Sequence, residues 1–412
     1  MKKLNIVSAI TISLMLATGV VGIGPVFQPS QAVAQSVSPE VGRPLQSARE
    51  LAEQKKFNEA IAEAKKADAV SKKSDYEAYM VNEILGSIYL QARQYSNAAS
   101  TLEKSLSLGQ LSAEDTVART KLLAQIFYQE KNYGKAVEYG QSYINEAGED
   151  QDILVIISQS QYLSKQYTAA VGTTQRLIRS GQRSGGVNES WLQLLMSSQF
   201  ELGNEDGVKD ALELLIRYHP QPRYWRDYLQ LVEKGLRGGT TKTALDVLRF
   251  RLSVGAMRDA KDYTDMAELA LQEGLPGDAK RALEKGKAEG VIGSGPQAGR
   301  HDRLMTMATE RAAEDSASLS AGESEAAAMA TGDADVRFGE AYWTYGQYDA
   351  AIAAIQRGID KGVENMNDAQ LRLGLAYLGA GDKANATAAF KKIAADTPES
   401  IIASLWTLKG SI

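Results

Sequence analysis

The feature that most constrains the fold of this chain is a group of bulky, small and aromatic residues that recurs at a regular spacing. One copy reads Leu85-Gly86-x-x-Tyr89, followed after a turn by Tyr95, Ala98 and Leu102. The turns of the first four copies carry aromatic residues that lie 38, 38 and 34 positions apart: Phe57, Tyr95, Tyr133 and Tyr167. A period of this length predicts pairs of helices that must stack, because neither helix of a pair can bury its apolar stripe alone.

Each predicted helix pair carries small residues where its two helices approach each other. On the first helices these residues are Gly86, Ala124, Gly339 and Gly374. On the second helices they are Ala98, Ala136, Ala351 and Ala386. We therefore expect close backbone approaches at these positions, with large apolar residues filling the space around them.

The clearest copies lie near the C-terminus. They read Phe338-Gly339-x-x-Tyr342 with Tyr348 and Ala351, and Leu373-Gly374-x-x-Tyr377 with Ala386, Phe390 and Pro398. This pattern resembles the tetratricopeptide repeat family, in which Trp, Leu-Gly, Tyr, Ala, Phe and Pro follow one another over about 34 residues. The resemblance implies an all-α fold, a right-handed superhelical α-solenoid of about ten antiparallel helix pairs.

The sequence predicts four segments along the chain. Residues 1–34 form a signal peptide, residues 35–289 an array of about seven repeats, residues 290–331 a Gly-rich loop with a degenerate repeat, and residues 332–412 a repeat pair with a capping helix. The degenerate repeat is expected to contain helices from His301 to Ala313 and from about Ser316 to Ala330. The Gly-rich run from Gly290 to Gly299 is either a hinge between two arrays or a long loop in one continuous superhelix. The last helix, from Glu399 to Lys409, is expected to place Trp406 in the core.

The N-terminus has the pattern of a secretory signal peptide. Lys2 and Lys3 precede an uncharged apolar run, which is followed by Ala32-Val33-Ala34. This arrangement predicts cleavage after Ala34, export and a periplasmic location, with a membrane anchor as the alternative. No later segment is apolar and uncharged for long enough to span a membrane.

Composition argues against nucleic-acid binding and against several kinds of chemistry. Without Lys2 and Lys3, 44 of the 46 basic residues remain against 51 acidic residues, a net charge of −7. Acidic and basic residues are interspersed, whereas a nucleic-acid surface needs clustered Lys and Arg. The chain has no Cys and only two His, His219 and His301, neither of which lies in a metal-binding or catalytic motif. We therefore predict no metal, no cofactor and no enzymatic activity.

The resemblance implies that a partner would bind the inner face, which is lined by the first helix of each pair. Transferred position by position, this face comprises Glu83, Lys121, Gln125, Tyr128, Gln159, Tyr162, Gln199, Arg226, Gln230, Glu340 and Trp343. Gln and Tyr suit an extended peptide or a helix, because they offer amide hydrogen bonds and flat apolar surface. The Lys and Asn set that the family uses to clamp C-terminal carboxylates is missing.

These observations predict a periplasmic scaffold or adaptor that binds a protein or peptide partner in envelope biogenesis or secretion. Two alternatives remain open: a self-associating structural protein, and an enzyme with a site near the degenerate repeat. The sequence leaves the oligomeric state undetermined.

Overall fold

The structure, a computed structural model, describes residues 36–236 and 239–412. Within these residues the regular secondary structure is helical throughout, with 20 α-helices and one short 3-10 helix, Glu233–Leu236. The predicted all-α fold is therefore confirmed. The predicted signal peptide, residues 1–34, lies outside the described residues.

The chain divides into two compact units, unit 1 ending at Ala211 and unit 2 running from Leu212 to Ile412. The helices that begin in unit 1 are α1 (Pro39–Glu53), α2 (Phe57–Asp68), α3 (Asp75–Gln91), α4 (Tyr95–Ser107), α5 (Ala113–Gln129), α6 (Tyr133–Ala147), α7 (Gln151–Leu163), α8 (Tyr167–Ser184), α9 (Glu189–Glu201) and α10 (Glu205–Tyr218). The later helices are α11 (Pro222–Val232), α12 (Thr241–Ser253), α13 (Ala260–Gln272), α14 (Pro276–Ala288), α15 (Ala298–Ala328), α16 (Asp333–Thr344), α17 (Tyr348–Lys361), α18 (Met366–Gly379), α19 (Lys383–Phe390) and α20 (Pro398–Gly410). The predicted boundary between residues 289 and 290 lies inside unit 2, so it is not the boundary between these units.

Successive helices in unit 1 pack against each other in chain order. Three residues, 130–132, join α5 to α6, and connections of this length between packed helices make the two helices antiparallel. We call the first helix of such a pair the A helix and the second the B helix. The predicted solenoid architecture of stacked helix pairs is confirmed.

The small residues lie where helices touch. A Cβ atom added to Gly86 on α3 would lie 2.5 Å from a methyl group of Leu102 on α4, and one added to Gly374 on α18 would lie 2.2 Å from the ring of Phe390 on α19. Both distances are shorter than non-bonded carbon atoms tolerate. Ala98 and Ala386, on the partner helices, are fully buried. The expected close approaches are therefore present.

The turns between paired helices contain a residue with positive φ, two positions before the B helix. In the first four pairs this residue carries a side chain: Lys55, Arg93, Lys131 and Lys165, with φ between 57° and 61°. In later pairs the same position is glycine: Gly203, Gly274, Gly346 and Gly381. The left-handed conformation ends the A helix and lets the chain reverse.

The degenerate repeat differs from its prediction. The structure has one 31-residue helix, α15, where two helices were expected, so that prediction was wrong. The expected break near residues 314–315 contains neither Gly nor Pro, and the Ala-rich sequence on both sides favours continued helix. Gly299 also belongs to α15, so the Gly-rich loop ends earlier than predicted. His301 fastens this loop, because its Nδ1 accepts a hydrogen bond of 3.2 Å from the Gly293 N–H.

The final helix, α20, covers α18 and α19, as a cap should, and Trp406 is buried as predicted. It also packs against α12, which lies about 150 residues earlier in the chain. In unit 2 the last helix therefore contacts a helix near the start of the unit. This contact affects which side chains of the A helices in unit 2 are accessible to solvent.

Candidate partner-binding site

Six of the predicted partner-binding residues lie on the A helices α3, α5 and α7 of unit 1, and all six are half-buried. We call this set the A-helix face; it comprises Glu83, Lys121, Gln125, Tyr128, Gln159 and Tyr162. Lys121, Gln125 and Tyr128 are spaced by four and three positions, so α5 presents them along one side. Partial exposure leaves each side chain accessible to a partner while the helix fixes its position.

Glu83 joins α3 to α5 through an ion pair. Both Glu83 oxygens accept hydrogen bonds from Arg119, at 2.5 and 2.6 Å, and the Ser105 hydroxyl donates a third. Arg119 is only 7% exposed, while the Glu83 side chain is 19% exposed. The repeat pattern does not predict Arg119 as part of this site. The signal that could have found it is an opposite charge about one repeat after Glu83.

Tyr128 joins α5 to α7. Its hydroxyl donates a hydrogen bond of 2.6 Å to Oε1 of Gln159. Burial raises the pKa of Tyr128, so the hydroxyl keeps its proton and remains a donor at neutral pH. Tyr162 on α7 packs edge-on against Tyr167, the first residue of α8, with 5.5 Å between ring centroids. These contacts hold the aromatic side chains of the face in fixed orientations.

Lys121 contributes the positive charge of the A-helix face. Its Nζ lies 2.5 Å from Oδ2 of Asp150, the residue that caps α7, and 5.3 Å from the centre of the Tyr143 ring. Burial lowers the pKa of Lys121, but the hydrogen bond and charge of Asp150 outweigh burial and leave the pKa raised. Lys121 is therefore charged at neutral pH and retains 30% of its side-chain exposure.

Three other predicted residues lie elsewhere in the fold. Gln199 on α9 is buried, and its Oε1 accepts a hydrogen bond of 3.0 Å from Asn204. Arg226 and Gln230 are exposed on α11 in unit 2. Gln199 is therefore not accessible to a partner as predicted, and Arg226 and Gln230 belong to the other unit.

Glu340 and Trp343, predicted as accessible residues of α16, are buried, and the expectation that they line an open groove was wrong. Glu340 belongs to a set of buried charges from four helices that we call the buried charge cluster: Asp246, Arg249, Asp278, Glu340 and Arg372. The Trp343 Nε1–H donates a hydrogen bond of 3.1 Å to the Leu375 carbonyl. Packing of α12 against later helices of unit 2 closes this region.

The buried charge cluster is held by short ion pairs across α12, α14, α16 and α18. Arg249 donates to Asp278 at 2.5 Å, to Glu340 at 2.7 Å and to Asp246 at 2.8 Å. Arg372 donates to both oxygens of Asp246 at 2.6 Å. Burial raises the pKa of Glu340, but the charges of Arg372, Arg249 and Lys242 outweigh burial and hold the pKa well below its usual range.

The described residues also bear on metal binding and membrane insertion. Across residues 36–236 and 239–412, no group of three or more His, Cys, Asp or Glu side chains is placed to hold a metal ion. In the same residues, none of the helices combines the length and apolar character needed to cross a membrane.

Two segments of the chain match a known family model. Residues 85–152 in unit 1 and 336–401 in unit 2 match the family model described as tetratricopeptide repeat. No curated protein matches the chain.

Three solved structures are similar at low identity. The C-terminal part of a TPR repeat-containing protein from Cytophaga hutchinsonii is 14% identical, with a TM-score of 0.34, over 62% of this chain and 98% of that chain. A tetratricopeptide repeat protein from Parabacteroides merdae is 14% identical, with a TM-score of 0.33, over 66% of this chain and 100% of that chain. The TPR2AB domain of yeast Sti1, in a complex with pHSP90, is 13% identical, with a TM-score of 0.25, over 73% of this chain and 99% of that chain.

Proposed function

We propose that this chain, which is built from tetratricopeptide repeats, is a non-enzymatic scaffold that binds a protein or peptide partner through the A-helix face of unit 1. We further propose that it acts in the periplasm, in envelope biogenesis or secretion, after cleavage behind Ala34. The observation that carries the binding proposal is that the six residues of the A-helix face are half-buried and that neighbouring A helices are joined by polar contacts.

The distribution of these residues favours an extended partner over a small molecule. Packed helices lie about 10 Å apart, so the distance from α3 to α7 is roughly 20 Å. An extended peptide advances about 3.3 Å per residue, and about six residues would therefore span the A-helix face. Only a ligand of this length can contact residues of all three A helices at the same time.

The chemistry of the face suits a peptide backbone and its side chains. Gln125 and Gln159 carry amide groups that both donate and accept hydrogen bonds. Tyr128 and Tyr162 offer flat apolar surface with little loss of side-chain entropy, because their rings are already packed. Lys121 is already paired with Asp150 at 2.5 Å, so it adds a hydrogen-bond donor to the face and no unpaired charge.

The test is a crosslinked pull-down from the envelope fraction of the host, with the chain from Gln35 onward as bait. The binding variant combines Gln125→Ala, Tyr128→Ala, Gln159→Ala and Tyr162→Ala. The control variant combines substitutions at exposed residues of the B helices in the same unit: Asn97→Ala, Glu138→Ala, Gln141→Ala and Gln175→Ala. Circular dichroism must show equal helix content in both variants.

A partner that is retained by the control variant and lost by the binding variant would support the A-helix face. Equal recovery of the partner by both variants would contradict it. If only the chain itself is recovered, and its size in solution rises with concentration, self-association is the better description.

The periplasmic part of the proposal has a separate test. N-terminal sequencing of the protein from fractionated cells should begin at Gln35 in the soluble envelope fraction. Recovery in the membrane pellet with the first residues retained would favour the membrane anchor.

A further inference from the structure

A row of aromatic side chains crosses three neighbouring A helices of unit 1. Tyr128 on α5, Tyr162 on α7 and Phe200 on α9 occupy the same position of the repeat, because each lies three residues before the left-handed residue of its turn. On α3 this position is Leu90, so the row begins at α5. Helix α5 packs against α7, and α7 packs against α9. The three rings, which we call the aromatic row, therefore lie on successive helices at one level of the stack.

Phe200 is the most open member of the aromatic row. It is 43% exposed, whereas Tyr128 and Tyr162 are half-buried. The two tyrosines each pack against the tyrosine that begins the next B helix, with 6.2 and 5.5 Å between ring centroids. Helix α10 begins instead with Glu205, which supplies no ring. The aromatic row therefore ends in an apolar surface that a ligand can cover.

Two polar groups beside the aromatic row are hydrogen-bond donors. Gln159 uses its Oε1 to accept the hydrogen bond from Tyr128, which leaves its two Nε2 hydrogens to donate. Lys121 adds an ammonium group, which donates hydrogen bonds and cannot accept them. A ligand segment with many carbonyl oxygens and few N–H groups matches these donors. Proline lacks the backbone N–H, so a proline-rich segment has this character.

The spacing of the aromatic row matches the repeat of one backbone conformation. Packed helices lie about 10 Å apart, so neighbouring rings of the row are separated by roughly 10 Å. A polyproline II helix has about 3 residues per turn and rises about 3.1 Å per residue, so residues three apart lie on one side at intervals of about 9.3 Å. Consecutive side chains on one side of a β-strand are only about 6.6 Å apart, and one turn of an α-helix is about 5.4 Å. Polyproline II therefore presents one side chain to each ring at successive turns.

We propose that the aromatic row binds a proline-rich segment of a partner protein in the polyproline II conformation, with every third residue packed against one ring. This inference rests on the function proposed for the A-helix face and names the chemistry of its partner. Seven residues span the row, because six steps of about 3.1 Å cover roughly 19 Å. The conformation is already formed in the free segment, so binding loses little conformational entropy, and aromatic grooves suit it for this reason.

The test is a fluorescence anisotropy titration of the chain from Gln35 to Ile412 with three fluorescein-labelled decapeptides. The first is decaproline, the second alternates Val and Ser, and the third is an amphipathic helix former made of Ala, Leu, Glu and Lys. We expect saturable binding of decaproline, tighter than that of the other two peptides by about tenfold or more.

One substitution tests the open end of the aromatic row. Phe200→Ala removes the most exposed ring and should weaken binding of decaproline about tenfold, because exposed aromatic residues at an interface contribute strongly to affinity. The matched control is Leu202→Ala, which removes an apolar side chain of nearly equal exposure, 44%, outside the row. This control should leave the affinity for decaproline unchanged.

Several results would overturn the proposal. They are binding of another peptide as tight as that of decaproline, an unchanged affinity in Phe200→Ala, or an equal loss in Leu202→Ala. If none of the three peptides binds while the pull-down partner is still lost by the binding variant, the proline assignment is wrong and the scaffold function stands. Equal recovery of the partner by both pull-down variants would instead count against the A-helix face itself, so the two failures are distinguishable.

Discussion

Units 1 and 2 are built from the same kind of helix pair, but they use the faces of their A helices differently. In unit 1, Glu83, Tyr128 and Gln159 make polar contacts from one A helix to the next and stay half-exposed. In unit 2, Glu340 occupies the same kind of position and is buried among charges from α12, α14 and α18. Repeat position alone therefore does not decide whether a side chain can bind a partner. Contacts between helices distant in sequence decide it.

The largest effect should come from breaking the buried charge cluster. Arg372→Met leaves Asp246 without its bidentate partner in a site that water does not reach, and we expect a loss of about 3–5 kcal/mol in the stability of unit 2. Urea titration followed by tryptophan fluorescence measures this loss. The control is Arg300→Met, which removes a pair with Glu268 in which both side chains are about half-exposed and should cost less than about 1 kcal/mol. A similar small loss for both variants would show that the cluster is not stabilising.

Unit 1 should respond less strongly to the corresponding change. Arg119→Met removes the partner of Glu83, but Glu83 is partly exposed and keeps its hydrogen bond from Ser105. We expect a loss of about 2 kcal/mol, the value typical of a hydrogen-bonded charge. The double variant Glu83→Gln with Arg119→Met should recover part of this loss, because no unpaired charge then remains. A loss as large as that in Arg372→Met would contradict the difference between the partly exposed A-helix face of unit 1 and the buried charge cluster of unit 2.

Local features of the fold could be predicted because they depend on residues close in sequence. The approach of Gly86 to Leu102 and of Gly374 to Phe390 follows from spacing within one helix pair. The capping helix α20 follows in the same way from its apolar pattern. The six half-buried residues of the A-helix face also lie on the helices that the repeat assigned to them.

Features that depend on distant contacts could not be predicted in this way. Arg372 and Asp246 are 126 positions apart, and no periodicity of the sequence links them. Because no sequence pattern indicates that contact, the sequence predicts that Glu340 and Trp343 are accessible. The continuous helix α15 departs from its prediction for another reason: the repeat period predicts a break near residue 314, but no helix-breaking residue lies there.

Lowering the pH should destabilise unit 1 through protonation of one carboxylate, that of Glu77 on α3. Hydrogen bonds from Ser38 and from the backbone of Ser74 lower the pKa of Glu77 to about 2. Because the folded-state pKa is depressed, this stabilisation is complete above the unfolded pKa of about 4.3 and is lost as the pH falls from there toward 2. Urea titrations of the chain at several pH values should show that the free energy of unfolding of unit 1 falls as the pH decreases through this window. In Glu77→Gln this fall should be smaller. A pH dependence in Glu77→Gln identical to that of the unsubstituted chain would contradict the assignment to Glu77.

The smallest expected effect concerns the turns, where the two units also differ. Lys131 ends α5 of unit 1 with a φ of 58°, whereas Gly381 ends α18 of unit 2 with a φ of 82°. The left-handed conformation costs a residue with a side chain about 1–2 kcal/mol, while glycine gives up roughly 0.4–1 kcal/mol through the greater freedom of the unfolded chain. Lys131→Gly should therefore stabilise unit 1 by about 0.5–1 kcal/mol in urea titrations. Gly381→Lys should destabilise unit 2 by a similar amount, because a Cβ at that position meets no atom within 4 Å and only the backbone strain remains. If Lys131→Gly instead lowers stability, contacts of the Lys131 side chain must outweigh the strain, and the turns of unit 1 would then be selected for those contacts.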